Sequence, residues 1–510
     1  MKMRRLGDIS VSPDGKWVLY SATDVDLEKN TKTSHLFVIP AAGGTSKAVT
    51  DSPAGESRGR FSPDGKQVLF QSARGGGQQI YLAAFDGDAG SLGEARQLTT
   101  ISTEADGAMW SPDGQSVLFT SAVYPDCPPG DDACNKQRDD AAAQSKVKAK
   151  IFTHLLYRHW NAYTGDKRSH LFLVPVAGGA PRDLNPGDDH DIPPFSLGGP
   201  DAYAFSPDSK EIAFEENLDA VGATSTHVDI FTLRLDDPAA KPIKISSSLG
   251  GNFSPAYSPD GKSIAWRSQA RAGYESDKFR LVIYDRKSKQ INVMLPEWDR
   301  WIDEFVWDPG APAFIFFTSG DKGEESIYHL YVTSRAGEPW HLVKITGAGE
   351  YGDMHPAGGY HIIASRMTVR QPTEIVSLDL STVTHGSGAM WPPGVPNIRV
   401  VEMQLTHLNH ALLSQLDLAP LEPFWFRSVG GVRVQGFVVK PPAFDAAKKY
   451  PVKFLIHGGP EGAWGDSWSY RWNPELFAAS GYVVVMVNPR GSTGYGQAFT
   501  DGVNNDWGGK

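Results

Sequence analysis

Apolar residues along this chain come in short bursts, and most bursts stand behind the same turn. "VSPDGKWVLY" at 11–20, "FSPDGKQVLF" at 61–70, "WSPDGQSVLF" at 110–119, "FSPDSKEIAF" at 205–214 and "YSPDGKSIAW" at 257–266 share one pattern. "WDPGAPAFIFF" at 307–317 is a degraded copy and "MHPAGGYHIIAS" at 354–365 a fainter one. Proline presets φ for the first corner of a β-turn, aspartate favours the turn, and glycine tolerates its exit. The Val/Ile/Phe/Trp run behind each turn predicts a strand. A second run closes most units, as in "SHLFVIPAAGG" at 34–44, "QQIYLAAFDG" at 78–87, "SHLFLVPVAGG" at 169–179 and "VDIFTLRLDD" at 228–237.

The turn serines follow at 50 residues (Ser12 to Ser62), 49 (to Ser111), 95 (to Ser206) and 52 (to Ser258). A strand repeat with a period near 50 predicts a β-propeller with one four-stranded blade per repeat. The long gap reads as one blade carrying an insertion at about 124–168. The count is then seven blades over residues 1–390, with six and eight as the alternatives. Within the insertion, "NKQRDDAAAQSKVKAKIFTHLLYRHW" puts Ile151, Leu155 and Leu156 at helical spacing and reads as partly helical. It reads either as a solvated decoration or as a lid over a pocket.

The rhythm changes after residue 390. Residues 391–420 read as a linker or bracing strand. From 421 onward, "PFWFRSVGGVRVQGFVVKPP" predicts an antiparallel hairpin turning at Gly430-Gly431. "VKFLI" and "YVVVMVN" are unbroken apolar strands, a pattern that expects burial on both faces in a mostly parallel sheet. "NPELFAASG" between them predicts a helix ending at Gly481. Residues 421–510 therefore read as the first part of an α/β domain.

At 510 residues at least two domains are expected. The net charge of −10 argues against nucleic acid, whose phosphates need a basic face. No apolar run approaches the roughly 18 residues needed to span a bilayer. "MKMRRLGDISVSPDG" has a basic start without an apolar stretch, so it is no signal peptide as it stands. That is compatible with a native beginning further upstream. The only cysteines, Cys127 and Cys134, lie close together in a Pro/Gly-rich loop. Their closeness suggests a local disulfide and an oxidising compartment, with two free thiols the alternative. No His or Cys stands nearby to complete a zinc set.

The order of propeller, "HGGP" at 457–460, "NPRGSTGYG" at 488–496 and "DWGGK" at 506–510 resembles the prolyl-oligopeptidase family of serine peptidases. The inserted blade with its "CPPGDDAC" loop is similar to the dipeptidyl-peptidase-V-like and acylaminoacyl-peptidase-like branch. The resemblance implies a seven-bladed propeller followed by an α/β-hydrolase domain. It implies that Gly459 supplies one oxyanion-hole N–H, supported by His457 and Gly458. Glycines there let the backbone approach a carbonyl on which negative charge develops. Arg490, beside Asn488, is expected to order neighbouring loops rather than do chemistry. A tight turn leaving a strand is the plainer reading of "HGGP".

A nucleophile would sit in G-x-S-x-G on a strand-to-helix turn. The one match, "GESRG" around Ser57, falls between two blades and reads as a propeller loop. The resemblance puts the serine, acid and histidine beyond Lys510. The expectation is a fragment of a peptidase acting on short peptides, inactive as it stands, with no cofactor and no metal. Its compartment is expected to be periplasmic or secreted, with the cytoplasm as alternative. A TolB-like propeller that binds peptides without turnover is the competing reading.

Two further groups are candidates. Glu215 and Glu216 end a blade strand. Dipeptidyl peptidases of the fourth type use such a pair to grip a substrate ammonium. Adjacent strand residues point to opposite faces, so the pair converges only if the strand has ended. Solvated charges are the other reading. "GDDHD" at 187–191 and "HLNH" at 407–410 are expected to be acidic loop and structural residues rather than metal ligands.

Overall fold

The computed structural model describes residues 2–153, 155–195, 202–332, 341–358, 361–380 and 400–509. The end of the propeller reading at 381–390 and the first part of the linker reading, 391–399, lie outside the described residues.

Each turn of the repeat is built by its own side chains. Ser12 Oγ donates to Asp14 Oδ1 at 2.7 Å and accepts from Trp17 N at 2.9 Å, while Asp14 also accepts from Lys16 N. Ser62 with Asp64, Ser111 with Asp113, Ser206 with Asp208 and Ser258 with Asp260 repeat the arrangement. In the Asp14, Asp64, Asp208 and Asp260 turns these bonds hold the carboxyl below its ordinary value. Bonds from Lys262 and Ser258 hold Asp260 down at about 2. The fourth copy reads "SPDS", and Ser209 takes the left-handed conformation that glycine adopts in the others, at φ 61°.

Among the described residues, seven antiparallel units follow one another, opening at Arg5, Ser57, Asp106, Tyr203, Asn252, Glu304 and Glu350. Six of them pair four strands in sequence order, and the second carries a fifth, since both Ser91–Leu92 and Arg96–Gln97 pair with its third strand. Units six and seven touch through one parallel bridge, Glu325 to Glu350. Neighbouring units share apolar clusters. Leu19, Phe61 and Phe85 join units one and two; Leu69, Trp110 and Phe119 join two and three. The series continues to Phe316, Ile362 and Val376 between six and seven. It then returns to the start, because Ile363 and Ile375 of unit seven pack with Ile9 and Tyr20 of unit one. The seam is also bridged by Asn409, whose side chain accepts from Arg4 N and donates to Arg4 O. Apolar burial thus closes the ring on itself.

In the third unit the helix spans Asp132–Gln144, capped by Asp131 on Cys134 N. It stops well before Ile151 and Leu155, which are exposed, and a small hairpin, Arg158–His159 with Ala162–Tyr163, follows. The helical part of the insertion is therefore Asp132–Gln144, and Ile151, Leu155 and Leu156, whose spacing suggested a helix, lie outside it. A disulfide joins Cys127 to Cys134.

The α/β segment is a four-stranded sheet in the order Glu422–Arg427, Arg433–Val439, Val483–Asn488, Val452–Leu455. The first three neighbours are antiparallel and the last pair is parallel. A helix, Pro474–Ala479, is capped by Asn473 on Leu476 N and followed by Gly481 at φ 89°. Phe437, Val484 and Met486 are buried. The Val452–Leu455 strand is different: Val452 is 61%, Phe454 54% and Ile456 77% exposed. Burial on both faces, expected from its unbroken apolar run, does not hold for this strand. It forms the edge of the sheet, and among the described residues nothing covers its outer side.

Candidate active site

The turn after Val452–Leu455 is shaped by its glycines and held from the neighbouring strand. Gly459 sits at φ 123°, and a Cβ there would lie 2.5 Å from Glu461 N, so only glycine fits. His457 Nδ1 faces Gly458 O at 2.8 Å, which leaves Nε2 to meet the Ser492 hydroxyl at 3.0 Å. Thr493 N donates to Gly462 O. Asn488, fully buried, closes the turn: its Oδ1 accepts from Trp464 N at 2.7 Å and its Nδ2 donates to Trp464 O at 2.9 Å. The same Nδ2 donates to Tyr495 Oη, which in turn donates to Gln435 Oε1 on the central strand. The Asn488 amide thus uses both its oxygen and its nitrogen, and breaking one of these buried bonds would cost about 1–3 kcal/mol.

Arg490 lies at the rim. Its Nη1 donates to Val429 O and its stem packs over Gly502. It bridges the 428–432 turn and the 501–503 turn.

The propeller meets this segment through the loops between the second and third strands of its units. Arg271 of unit five forks onto Asp501 at 2.9 and 3.1 Å. Val369 N of unit seven donates to Asp466 Oδ1. In unit six, Gly323 O accepts from Asp466 N and Lys322 N donates to Gly494 O. Beneath that contact sits a group of buried carboxyls. Glu325 is pushed up to about 8 by burial and by Asp303; Glu350, pressed against Asp466 and Ser467, is pushed up to about 7, mainly by burial. Asp303 rises to about 6 for the same reason. The insertion of unit three occupies the corresponding loop of its own unit, on the same face of the ring. Between its tail and the loops at 189–195 and 217–222 lies a cavity of about 160 Å³ lined by Leu155, Leu156, Arg168, Asp189, Asp191 and Asp219, among others.

Glu215 and Glu216 are not brought together. The strand Glu211–Glu216 runs through both, pairing them with Ile230 and Asp229. Their side chains therefore leave on opposite faces. Glu215 Oε1 accepts from Ser254 N of unit five. Glu216 faces unit three and abuts Asp188; burial and that neighbour push it up to about 8. Both are buried, so the solvated reading fails along with the convergent one. Asp188, Asp189 and His190 stand within 4.8 Å of one another, and His190 Nδ1 is already paired with Asp188 at 2.9 Å. His407 pairs with Gln404. Ser57 opens a propeller strand, with no helix after it.

Residues 7–124 match the TolB beta propeller domain, and residues 468–510 match the prolyl oligopeptidase family. The chain is similar to the prolyl oligopeptidase family. Dipeptidyl-peptidase 5 of Porphyromonas gingivalis is 29% identical over 515 residues, covering 100% of this chain and 70% of that protein. Dipeptidyl-peptidase 5 of Trichophyton equinum is 28% identical over 534 residues, covering 99% and 69%. Among solved structures, an acylaminoacyl peptidase of Pyrococcus horikoshii superposes with a TM-score of 0.70 at 19% identity, over 98% of this chain and 68% of its own. A puromycin hydrolase superposes with a TM-score of 0.63 at 17% identity, over 99% and 69%. At such identities the structural likeness speaks for the fold. The dipeptidyl-peptidase 5 relatives align across the propeller and the α/β segment alike, while the prolyl oligopeptidase match covers residues 468–510. No helix among the described residues is long and apolar enough to cross a membrane.

Three features of the site escape sequence reading: the Asn488 clamp on Trp464, the Ser492 partner of His457, and the unit-six hairpin against residues 465, 466 and 494. All join residues distant in the chain, and no spacing rule links them. The one local signal is the Asn-Pro-Arg-Gly-Ser string itself.

Proposed function

We propose that this chain is the seven-bladed propeller and the opening part of the hydrolase domain of a serine exopeptidase of dipeptidyl or acylaminoacyl type. It releases short units from peptide N-termini. The observation that carries the reading is the Gly459 turn, locked by Asn488 at the end of a parallel strand whose outer edge is open. An N–H held in place by buried bonds needs no rearrangement as negative charge develops on a carbonyl oxygen. In the complete protein a serine attacks the peptide carbonyl, a histidine carries its proton to the leaving amine, and Gly459 N–H helps hold the oxyanion. We assign these three groups to sequence following residue 510. The Val452–Leu455 strand stands last in the sheet order, where a further parallel strand fits, and the chain spans 70% of the first relative's length.

The cavity beneath the unit-three insertion supports an N-terminal ammonium as the recognised end, with Asp189, Asp191 and Asp219 on its wall against Arg168. The ring and the insertion restrict access to short or unfolded peptides. The Cys127–Cys134 bond supports an oxidising compartment, periplasmic or secreted.

A test compares residues 1–510 with the product of the reading frame extended past residue 510. Both are offered dipeptidyl and N-acetyl-aminoacyl anilides. Hydrolysis by the longer product alone, abolished by a serine-directed phosphonate, supports the reading. Turnover by residues 1–510 would sink it. The match of residues 7–124 to TolB beta propellers favours a second reading, a peptide-binding propeller, which predicts saturable peptide binding without turnover by the longer product.

A further inference from the structure

The second and third strands of unit six, Phe314–Asp321 and Glu324–Tyr331, are joined by two residues, Lys322 and Gly323. Both have positive φ, 54° and 83°, as a tight primed hairpin turn requires. The tip does not project into solvent. It lies between two segments of the α/β region that flank the oxyanion turn. On one side Gly323 O accepts from Asp466 N at 2.8 Å, and a Cβ on Gly465 would stand only 2.7 Å from that carbonyl. On the other side Lys322 N donates to Gly494 O at 3.2 Å. Below it, a Cβ on Gly323 would run into the ring of Phe437, which is buried in the centre of the sheet. Three glycines, one on the hairpin and two on the loops it meets, permit this approach of backbone to backbone.

The two segments so joined are those closed by Asn488. Trp464, two residues before Asp466, takes both bonds of the Asn488 amide, and Tyr495, next to Gly494, takes a third. Gly459 is five residues ahead of Trp464 on a turn with an open edge strand behind it. Among the described residues, restraint on that turn comes through Asn488, Ser492, Thr493 and the hairpin.

We propose that the unit-six hairpin is a positioning element for the oxyanion turn, acting on Gly459 through Asp466, Gly494 and the Asn488 clamp. The inference rests on the reading of Gly459 as an oxyanion donor. It makes the propeller a part of the machinery that orients the turn as well as a gate in front of it. A small displacement of the tip moves the Trp464 end of the turn, and misplacements of about 1 Å at a reacting centre can cost 10²-fold in rate.

Two variants test it. Gly323→Ala pushes the hairpin away from Phe437 without removing any hydrogen-bonding group. Asn488→Ala cuts the link and leaves hairpin and sheet intact. Amide hydrogen exchange is followed in residues 1–510, and turnover of a dipeptidyl anilide in the extended product. Both variants are expected to speed exchange across 457–464 by about tenfold. Both are expected to lower kcat by about tenfold with KM within about twofold, as for loss of an interaction made only in the transition state. Exchange at 457–464 unchanged in both variants overturns the coupling. Faster exchange with kcat intact supports the coupling and overturns the assignment of Gly459, so the two failures are told apart.

Discussion

The strands of the ring and the strands of the α/β segment are equally apolar, yet they are buried differently. Val68, Leu69 and Phe70 in unit two have units one and three to lie against, and all are buried. "VKFLI" is apolar but for Lys453, yet Phe454 and Ile456 stay more than half exposed. The ring closes, so the inner strands of each unit are covered by neighbouring units on both faces. The α/β sheet among the described residues has an edge, and its last strand meets only Val483–Asn488. Apolar sequence shows the capacity to be buried; whether burial happens depends on what else is built beside it.

The largest expected effect comes from breaking the closed side of this comparison. Phe317 is fully buried between units five and six and stacks on Tyr328, with ring centroids 5.2 Å apart. Phe317→Ala is expected to cost about 3–5 kcal/mol. Urea unfolding followed by tryptophan fluorescence measures it. A loss below about 1 kcal/mol would mean that the ring tolerates a missing side chain and is not close-packed at this interface.

A smaller effect sharpens the boundary between the two regions. Glu325 and Glu350 have folded-state values raised to about 8 and about 7 from an ordinary 4.5. Groups raised on folding hold protons that the unfolded chain releases. Their stabilisation is complete below 4.5 and is lost as pH rises through about 7 and about 8. Glu325→Gln keeps the shape and removes the titration. It is expected to leave Tm unchanged at pH 4.5 and to raise it at pH 8.5, with the excess appearing across that window. A parallel shift at both pH values would assign the effect to packing.

The smallest effect lies at the open edge. Phe454→Lys is expected to change stability by no more than about 0.5 kcal/mol, as at other exposed sites. The same change is expected to reduce association of residues 1–510 in light scattering, since charge blunts an edge strand. A cost comparable with that of Phe317→Ala would show that this strand is already covered, and would remove the difference between the two regions.

What could be read ahead of the structure was local. The Ser-Pro-Asp-Gly turns are closed by bonds between residues two to five apart, so their chemistry is visible in ten letters. The hairpin turning at Val429–Gly431 and the helix capped by Asn473 were legible for the same reason. Reading went wrong where a partner was assumed. The insertion's helix ends at Gln144, short of Ile151 and Leu155, whose helical spacing is not matched by a helix. Glu215 and Glu216 looked like a pair because they are adjacent, and the strand that carries them sends one to unit five and the other to unit three.

The sequence by itself determined the repeating unit, its turn chemistry, the change to an α/β pattern and the glycine turn at 457–460. These follow from residues within one turn or one strand of each other, where sterics and short hydrogen bonds act. The tertiary structure alone decided that Asn488 closes that turn, that the unit-six hairpin braces it, and that Glu325 and Glu350 share a buried seam. Those arrangements join residues up to 170 or so positions apart, from Lys322 to Gly494. Only the packing of ring against sheet sets such distances, and the electrostatics of buried carboxyls follow from which neighbours that packing supplies.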